Sequence, residues 1–518
     1  MWSVLTPVDI GIVLGYFVFV FIVGMTINRE RDSASGYFLA GRTLGWSAIG
    51  FSLFSSNISS ASIVGLTGLA YSSGISISAY EWMATLVLIF VAIFMVPVYL
   101  GQKITTVPEY LEKRFGPSSR RFYSLLTIIL TLLVDVAASM YAGGLVMNAF
   151  FPLLSIWETC IIVAVLSGIY TTLGGLAAVV YTDILQSVLL LVGSTLVLIA
   201  VLSIFDFDLR AAIDAVGGFE MFPAVDDPVL PGPGILVGVP ILGFYYWATN
   251  QYVVQRILGA RDQKQARYGA LFGGFLKLAV VFLIVFPGIL GQAIYPSLDN
   301  GDELYTKMLF DLVPPGVMGL VIAGLVAAIM SSVDSALHSS STLIVIDFID
   351  KDERLTGSRL TRVGRLVTVI LILFAAVWSP FIGYFEGLFS YLQQILCYSV
   401  PPVSALFLMG LFTRRGGGLT ANITLSGGLF SGLLLGLLNY CGCIQLHYTY
   451  VAFLIFVISV ALFYAASLLD QERRLAELDG LTWRGETFIT EIRTWDRYFV
   501  PVVILLVGIT FWIIFIFS

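Results

Sequence analysis

Apolar runs of about twenty residues recur along almost the whole chain, separated by short polar connections. Fourteen such stretches fall near 7–27, 47–71, 80–100, 122–149, 153–172, 178–203, 233–255, 269–295, 314–347, 363–385, 389–412, 419–438, 447–468 and 498–517. A bilayer core of roughly 30 Å asks for about 20 apolar residues per helix. The pattern therefore predicts an all-α integral membrane protein with about 14 transmembrane helices. The ninth stretch is too long for one upright span and predicts a tilted helix, or a surface helix before it. Two polar connections are longer than the rest. Residues 204–232 are acidic and rich in Pro and Gly, and read as an extracellular or periplasmic loop. Residues 469–497 mix charge with Trp483 and Trp495 and read as a cytoplasmic segment lying along the interface. Neither reads as a separate domain, so 1–518 is expected to be one transmembrane unit.

The basic residues sharpen this map. Connections between spans should alternate, with Lys and Arg gathered on the cytoplasmic side. All but three of the 27 Lys and Arg fall in alternate connections. Arg256, Arg261, Lys264 and Arg267, for example, fall in the connection after the seventh span. Only Arg210 and Lys307 lie on the opposite side, and Lys277 is the one base inside a span. Both termini are then expected outside, and the first apolar run, with no basic leader and no small-residue cleavage site, is expected to be a retained span.

Composition agrees: 58% of the residues are hydrophobic and 12% charged, and mean hydropathy is +0.94. A soluble chain carries about twice that charged share. Cys160, Cys397, Cys441 and Cys443 have no zinc spacing, and His338 and His447 are the only histidines. No G-x-x-x-x-G-K-[ST] run is present. An ATP-driven pump, a metalloenzyme and a membrane enzyme with a nucleophile–base pair are all unsupported. A channel should carry charge rings or a filter loop, which the sequence lacks. The expected class is an ion-driven secondary transporter, not an enzyme, with a small-molecule solute and the lipid bilayer as partners and no organic cofactor or nucleic acid.

Ionisable groups inside spans are costly and mark function by default. Here they are Glu81, Asp135, Asp183, Lys277, Asp334 and His338. The second span, from Phe51 to Ser62, holds six serines and Asn57 in twelve residues. Ser and Asn compete with the backbone for hydrogen bonds and favour helix breaks, and a mid-membrane break offers carbonyls to a ligand. Helix–helix hydrogen bonding is the plainer alternative. The ninth span carries Ser331, Ser332, Asp334 and Ser335, oxygen donors that suit a hard cation or simply close packing. Asp183 fits either an ion site or a cap at the start of the sixth span. Lys277 could reach the cytoplasmic edge, and Glu81 the outer water. Asp135 is mid-span with no evident partner in the sequence.

Several runs together resemble the sodium/solute symporter family, and within it the sodium–sugar cotransporters. They are Gly174-Gly175-Leu176-Ala177-Ala178-Val179-Val180-Tyr181-Thr182-Asp183-Ile184-Leu185-Gln186, Tyr245 to Arg256, Met330-Ser331-Ser332-Val333-Asp334-Ser335, and Tyr391-Leu392-Gln393. The resemblance extends from about residue 8 to 470. It implies a LeuT-type 5+5 inverted repeat with discontinuous helices, 47–203 against 233–412. It implies a sodium site of the Ser55, Ile58 and Ala328 carbonyls with the Ser331 and Ser332 hydroxyls, and a second cation site at Asp183, Asp334 and Ser335, so one sodium ion or two. For the solute it implies Asn57, Ser62, Glu81, Gly243, Tyr246, Trp247, Lys277 and Gln393, with Tyr80 and Phe389 as outer gates and Tyr246 as inner gate. Ser62, Ala84 and Gly243 stand where sugar-binding relatives carry longer or polar side chains, which leaves a sugar, a polyol or a non-sugar organic solute open. The expected activity is sodium-coupled import across a plasma membrane. The absence of N-x-[ST] acceptors in the outer loops leans towards a bacterial inner membrane.

Overall fold

Helices account for nearly all of the regular structure in this computed structural model. It describes residues 6–26, 34–150, 153–350, 355, 357–384, 388–470 and 478–518. Among them there is no β-strand, and one isolated bridge pairs Leu44 with Ala260. The helices that position the site are α1 (Pro7–Thr26), α2 (Trp46–Asn57), α3 (Ser60–Ser73), α4 (Ala79–Phe90), α5 (Pro117–Leu130), α6 (Ile156–Ser203), α7 (Val239–Phe244), α8 (Gln251–Leu258), α9 (Gln263–Val280), α10 (Met318–Leu343), α11 (Leu388–Ser399), α12 (Pro401–Phe412), α13 (Tyr448–Ser467), α14 (Gly485–Ile492) and α15 (Phe499–Ile516).

The second apolar stretch is broken at its centre. α2 stops at Asn57, Ile58 takes φ −82° and ψ 83°, and α3 restarts after Ser59. Local side chains replace the backbone bonds that the break removes. Ser59 accepts the Ser62 backbone N–H at 3.1 Å, as an N-cap should, and the Ser62 hydroxyl donates to the Asn57 carbonyl at 3.2 Å. The serine run thus makes the break that its composition predicted. The seventh stretch is broken too. After Thr249, Asn250 takes ψ 121° and its side chain accepts the Tyr252 N–H at 3.1 Å to open α8. Carbonyls freed there are taken by Tyr99, which donates to Ala248, and Tyr123, which donates to Thr249, each at 2.8 Å.

The expected count of spans is not met helix for helix. Among the described residues nine helices are long and apolar enough to cross a membrane, and Tyr391–Ser399 with Pro401–Phe412 forms a further pair bent by 49°. Two of the missing spans are the broken second and seventh. The fifth and sixth are one continuous helical run, α6, of 48 residues. A loop was expected there at the glycine pair before Leu176. The stretch has no proline, and helix-forming residues on both sides carry the backbone through.

Contacts between the connections fall into two groups. In one, Arg42 donates to the Lys103 carbonyl at 3.0 Å, Arg120 pairs with Asp347 at 2.7 Å, and Lys264 pairs with Asp496 at 2.9 Å. These contacts join the connections rich in Lys and Arg to one another. In the other, Asp9 accepts the Gly319 N–H at 2.6 Å, Tyr71 donates to the Tyr295 carbonyl at 2.6 Å, and Phe219 packs on Phe517. The segment before α15 is strapped to α9 by Arg267 with Glu491 and by Tyr268 with Asp496. Trp483 Nε1 donates to the Phe94 carbonyl at 2.8 Å.

Candidate functional site

α10 is buried along its whole length, polar residues included. Glycine lets α6 approach it closely: a Cβ at Gly193 would lie 3.3 Å from Val321 Cα, and one at Gly324 3.0 Å from the Leu189 carbonyl oxygen. That approach places Asp183, in the interior of α6, against Ser331. The carboxylate accepts Ser331 Oγ at 2.5 Å, Ser52 Oγ at 2.5 Å and Ser56 Oγ at 3.3 Å. Asp183 therefore caps no helix; it gathers hydroxyls from α2 and α10.

Three of the predicted sodium-site residues, Ser55, Ser331 and Ser332, meet beside the α2 break. Ser55 Oγ donates to Ser331 Oγ at 2.9 Å, and Ser332 Oγ donates to the Ser56 carbonyl at 3.2 Å. Ile58 and Ala328 are both fully buried, Ile58 in the break itself and Ala328 one turn before Ser331 and Ser332 on α10. Buried hydroxyl and carbonyl oxygens are the donor types a hard cation takes.

Arg256 was counted among the cytoplasmic loop bases, and that assignment is corrected. It is fully buried on α8, 3.7 Å from Asp183. Its Nε donates to Ser52 Oγ at 3.1 Å, one Nη donates to Ser56 Oγ at 2.8 Å and to Ser335 Oγ, and the other donates to the Tyr252 carbonyl. A resident guanidinium thus lies between Asp183 and Ser335, two of the three residues expected to hold a second ion. The third, Asp334, is fully buried and bears with Asp183 on Tyr16 of α1. Sequence reasoning missed Arg256 because a base at the end of an apolar run looks the same in a loop or in a core. Its position four residues after Tyr252, on the same helical face, was the available signal.

Beside these residues lies a partly open cavity. Asn57, Ser62, Tyr80, Glu81, Gly243, Tyr246, Trp247, Lys277, Ser332 and Gln393 all line it. Lys277 does not reach the membrane edge, nor Glu81 the outer water. The two are buried and ion-paired, and Lys277 also donates to Asn57 Oδ1. The ammonium stands 5.7 Å from the Trp247 ring centre. Ser62 is held by the break through its bonds to Asn57 and Ser59. At Gly243 a Cβ would meet only ordinary contacts, 3.4 Å from Val87. Ala84 is buried and lies outside the lining. On one side of the cavity Tyr246 meets Tyr252 hydroxyl to hydroxyl, and Tyr252 donates to the Ser56 carbonyl at 2.8 Å. Elsewhere on the lining the Tyr80 hydroxyl lies 3.4 Å from that of Tyr448. Phe389 belongs to α11, and its side chain lies outside the described residues.

A mid-membrane helix break that meets a serine-rich helix on one side and an aromatic-capped polar cavity on the other defines a coupled secondary transporter. The chain belongs to the sodium:solute symporter family, whose profile matches residues 37–436. Among curated proteins it is 33% identical to the sodium/glucose cotransporter 4 of Danio rerio, over 92% of this chain and 81% of that protein. It is 34% identical to the sodium/myo-inositol cotransporter 2 of Homo sapiens, over 84% of this chain and 70% of that protein. These relatives are cotransporters, not enzymes, and as vertebrate proteins they give no support to a bacterial origin. Among solved structures, a Na+-coupled sialic acid symporter in a substrate-bound outward-open state aligns with a TM-score of 0.78 at 22% identity, covering 90% of this chain and 99% of that one. A nucleobase-cation-symport-1 family transporter in a closed conformation aligns with a TM-score of 0.59 at 13% identity, covering 88% and 99%. The fold is shared with these transporters.

Proposed function

We propose that the chain is a sodium-driven importer of a neutral polyhydroxy solute, a sugar or a polyol, working by alternating access. The observation that carries this reading is the position of Asn57. It ends α2 between Ser55 and Ile58, on the ion side, and bonds Lys277, on the cavity side. A cation that ties α2 to α10 fixes the break, and with it the polar edge of the cavity. Coupling requires such a differential effect on two states, not joint binding alone. Polar groups set among aromatic faces suit a ring with hydroxyl edges and apolar faces. The names of the glucose and myo-inositol relatives point the same way.

In this reading one sodium ion binds at Ser55, Ile58, Ala328, Ser331 and Ser332. Arg256 stands in for a second cation between Asp183 and Ser335 and has to move away before another ion can share that place with Asp334. The solute is held by Asn57, Glu81, Lys277 and Gln393 against Tyr246 and Trp247, with Ser62 and Gly243 setting the room available. Tyr80 and Phe389 close the outer path and Tyr246 the inner one. The breaks in α2–α3 and α7–α8 support a 5+5 inverted repeat of 47–203 and 233–412, with about 14 spans in all. The clustering of Lys and Arg supports both termini outside. Each sodium moving down about 100 mV releases roughly 2.3 kcal/mol, which alone corresponds to about fifty-fold accumulation.

Uptake into proteoliposomes tests the proposal. Hexoses, myo-inositol, proline and short carboxylates are offered under sodium, potassium or proton gradients. Sodium-dependent accumulation of a hexose or inositol is the expected result. Accumulation of proline or a carboxylate instead would discard the polyhydroxy assignment, and transport indifferent to sodium would discard the coupling.

A further inference from the structure

We infer that Asp135 sets the charge selectivity of the solute cavity: it accepts hydrogen bonds from solute hydroxyl or ammonium groups and turns anionic solutes away. Asp135 sits in a π-helical turn, Thr131–Val136, in the middle of the fourth apolar stretch. Such turns add a residue to the helical register and often mark functional positions. Here the turn sets Asp135 in the cavity lining with Tyr246 and Gln393.

The charge count in the cavity gives Asp135 its meaning. Glu81 and Lys277 answer each other. Among the described residues no base pairs with Asp135, and no side chain donates a hydrogen bond to its carboxylate. Ser139 Oγ donates instead to its backbone carbonyl, at 2.8 Å. With Asp135 ionised, the cavity carries one negative charge more than positive. An ionised carboxylate away from water is costly until a donor reaches it, and the donor the chain itself lacks can be supplied by the solute. Hydroxyl groups satisfy it, and an ammonium satisfies it better. A solute carboxylate would place like charges together in a low-dielectric site, which disfavours its binding.

The inference rests on the polyhydroxy reading above, and one competition series separates the two. Glucose, glucosamine and glucuronate compete for sodium-driven uptake of the preferred labelled sugar or inositol, in wild type, Asp135→Asn and Asp135→Glu. Ratios are read within each variant, so a lower protein yield leaves them intact. In wild type and Asp135→Glu, glucuronate should compete at least about tenfold more weakly than glucose. In Asp135→Asn that gap should close by at least about tenfold, and any advantage of glucosamine should disappear. An unchanged gap in Asp135→Asn overturns the role of Asp135 and leaves the polyhydroxy reading standing. Failure of wild type to move any sugar or inositol with sodium overturns both.

Discussion

Ser55 and Ser331 meet hydroxyl to hydroxyl at 2.9 Å, although 276 positions separate them in the chain. The contact bridges the broken second span and α10, the two elements a coupling ion has to join. Removing either serine of the α10 pair should weaken sodium more than solute. Ser331→Ala and Ser332→Ala are each expected to raise the sodium concentration for half-maximal uptake at least about tenfold, in line with the loss of one good polar ligand. Solute binding without sodium should change little. Sodium activation curves in proteoliposomes check this.

Arg256 and Asp183 are both fully buried, so neither can lose its partner cheaply. Arg256→Gln leaves the Asp183 carboxylate without its counter-charge and should cost about 3–5 kcal/mol. The double variant Arg256→Gln with Asp183→Asn should recover much of that loss, because no bare charge remains. Thermal unfolding of wild type, Arg256→Gln, Asp183→Asn and the double variant in detergent reads the cycle. Additive losses would show that the pair is not coupled.

Tyr80 reaches beyond the cavity to Tyr448 on α13, and Tyr448 in turn donates to the Val229 carbonyl in the 204–232 connection at 3.4 Å. Tyr448→Phe removes the outer hold on Tyr80. A cysteine placed at Gln393, in a background lacking the four native cysteines, should then react severalfold faster with a membrane-impermeant thiol reagent added outside. An unchanged rate would mean that Tyr448 has no part in the outer gate.

The strap before α15 is fastened by Asp496. Hydrogen bonds from Tyr268 and Lys264 hold its carboxyl down to about 2, below the usual carboxylate value. A depressed carboxylate stabilises the folded form above its ordinary value, about 4, and loses that contribution as the pH falls towards 2. The emission of neighbouring Trp495 should stay constant down to about pH 4 and shift below it. In Asp496→Asn the shifted signal should already be present at neutral pH.

Much of this architecture could be read along the chain, and the exceptions have physical reasons. The serine run announced the α2 break because Ser59 and Ser62 supply the bonds a broken helix needs. The alternation of Lys and Arg divides the connections into two sets. Hydropathy could not separate a loop arginine from a core one, so Arg256 was placed in water although four buried groups receive its hydrogen bonds. It could not show that Glu81 and Lys277 meet, since their pairing depends on how α4 and α9 pack. The expected loop between the fifth and sixth spans failed because two glycines weaken a helix without ending it. Asp135 had no visible partner in the sequence, and the fold explains it by the cavity it faces.

The central claim is that sodium at the α2 break completes the solute site. Its most direct test is the solute affinity of the purified protein with sodium and with potassium, in wild type and in Ser332→Ala. The account predicts that sodium tightens wild-type binding at least about tenfold, a coupling of about 1.4 kcal/mol, and that Ser332→Ala loses most of this gain. Equal affinity with either ion in wild type would contradict it.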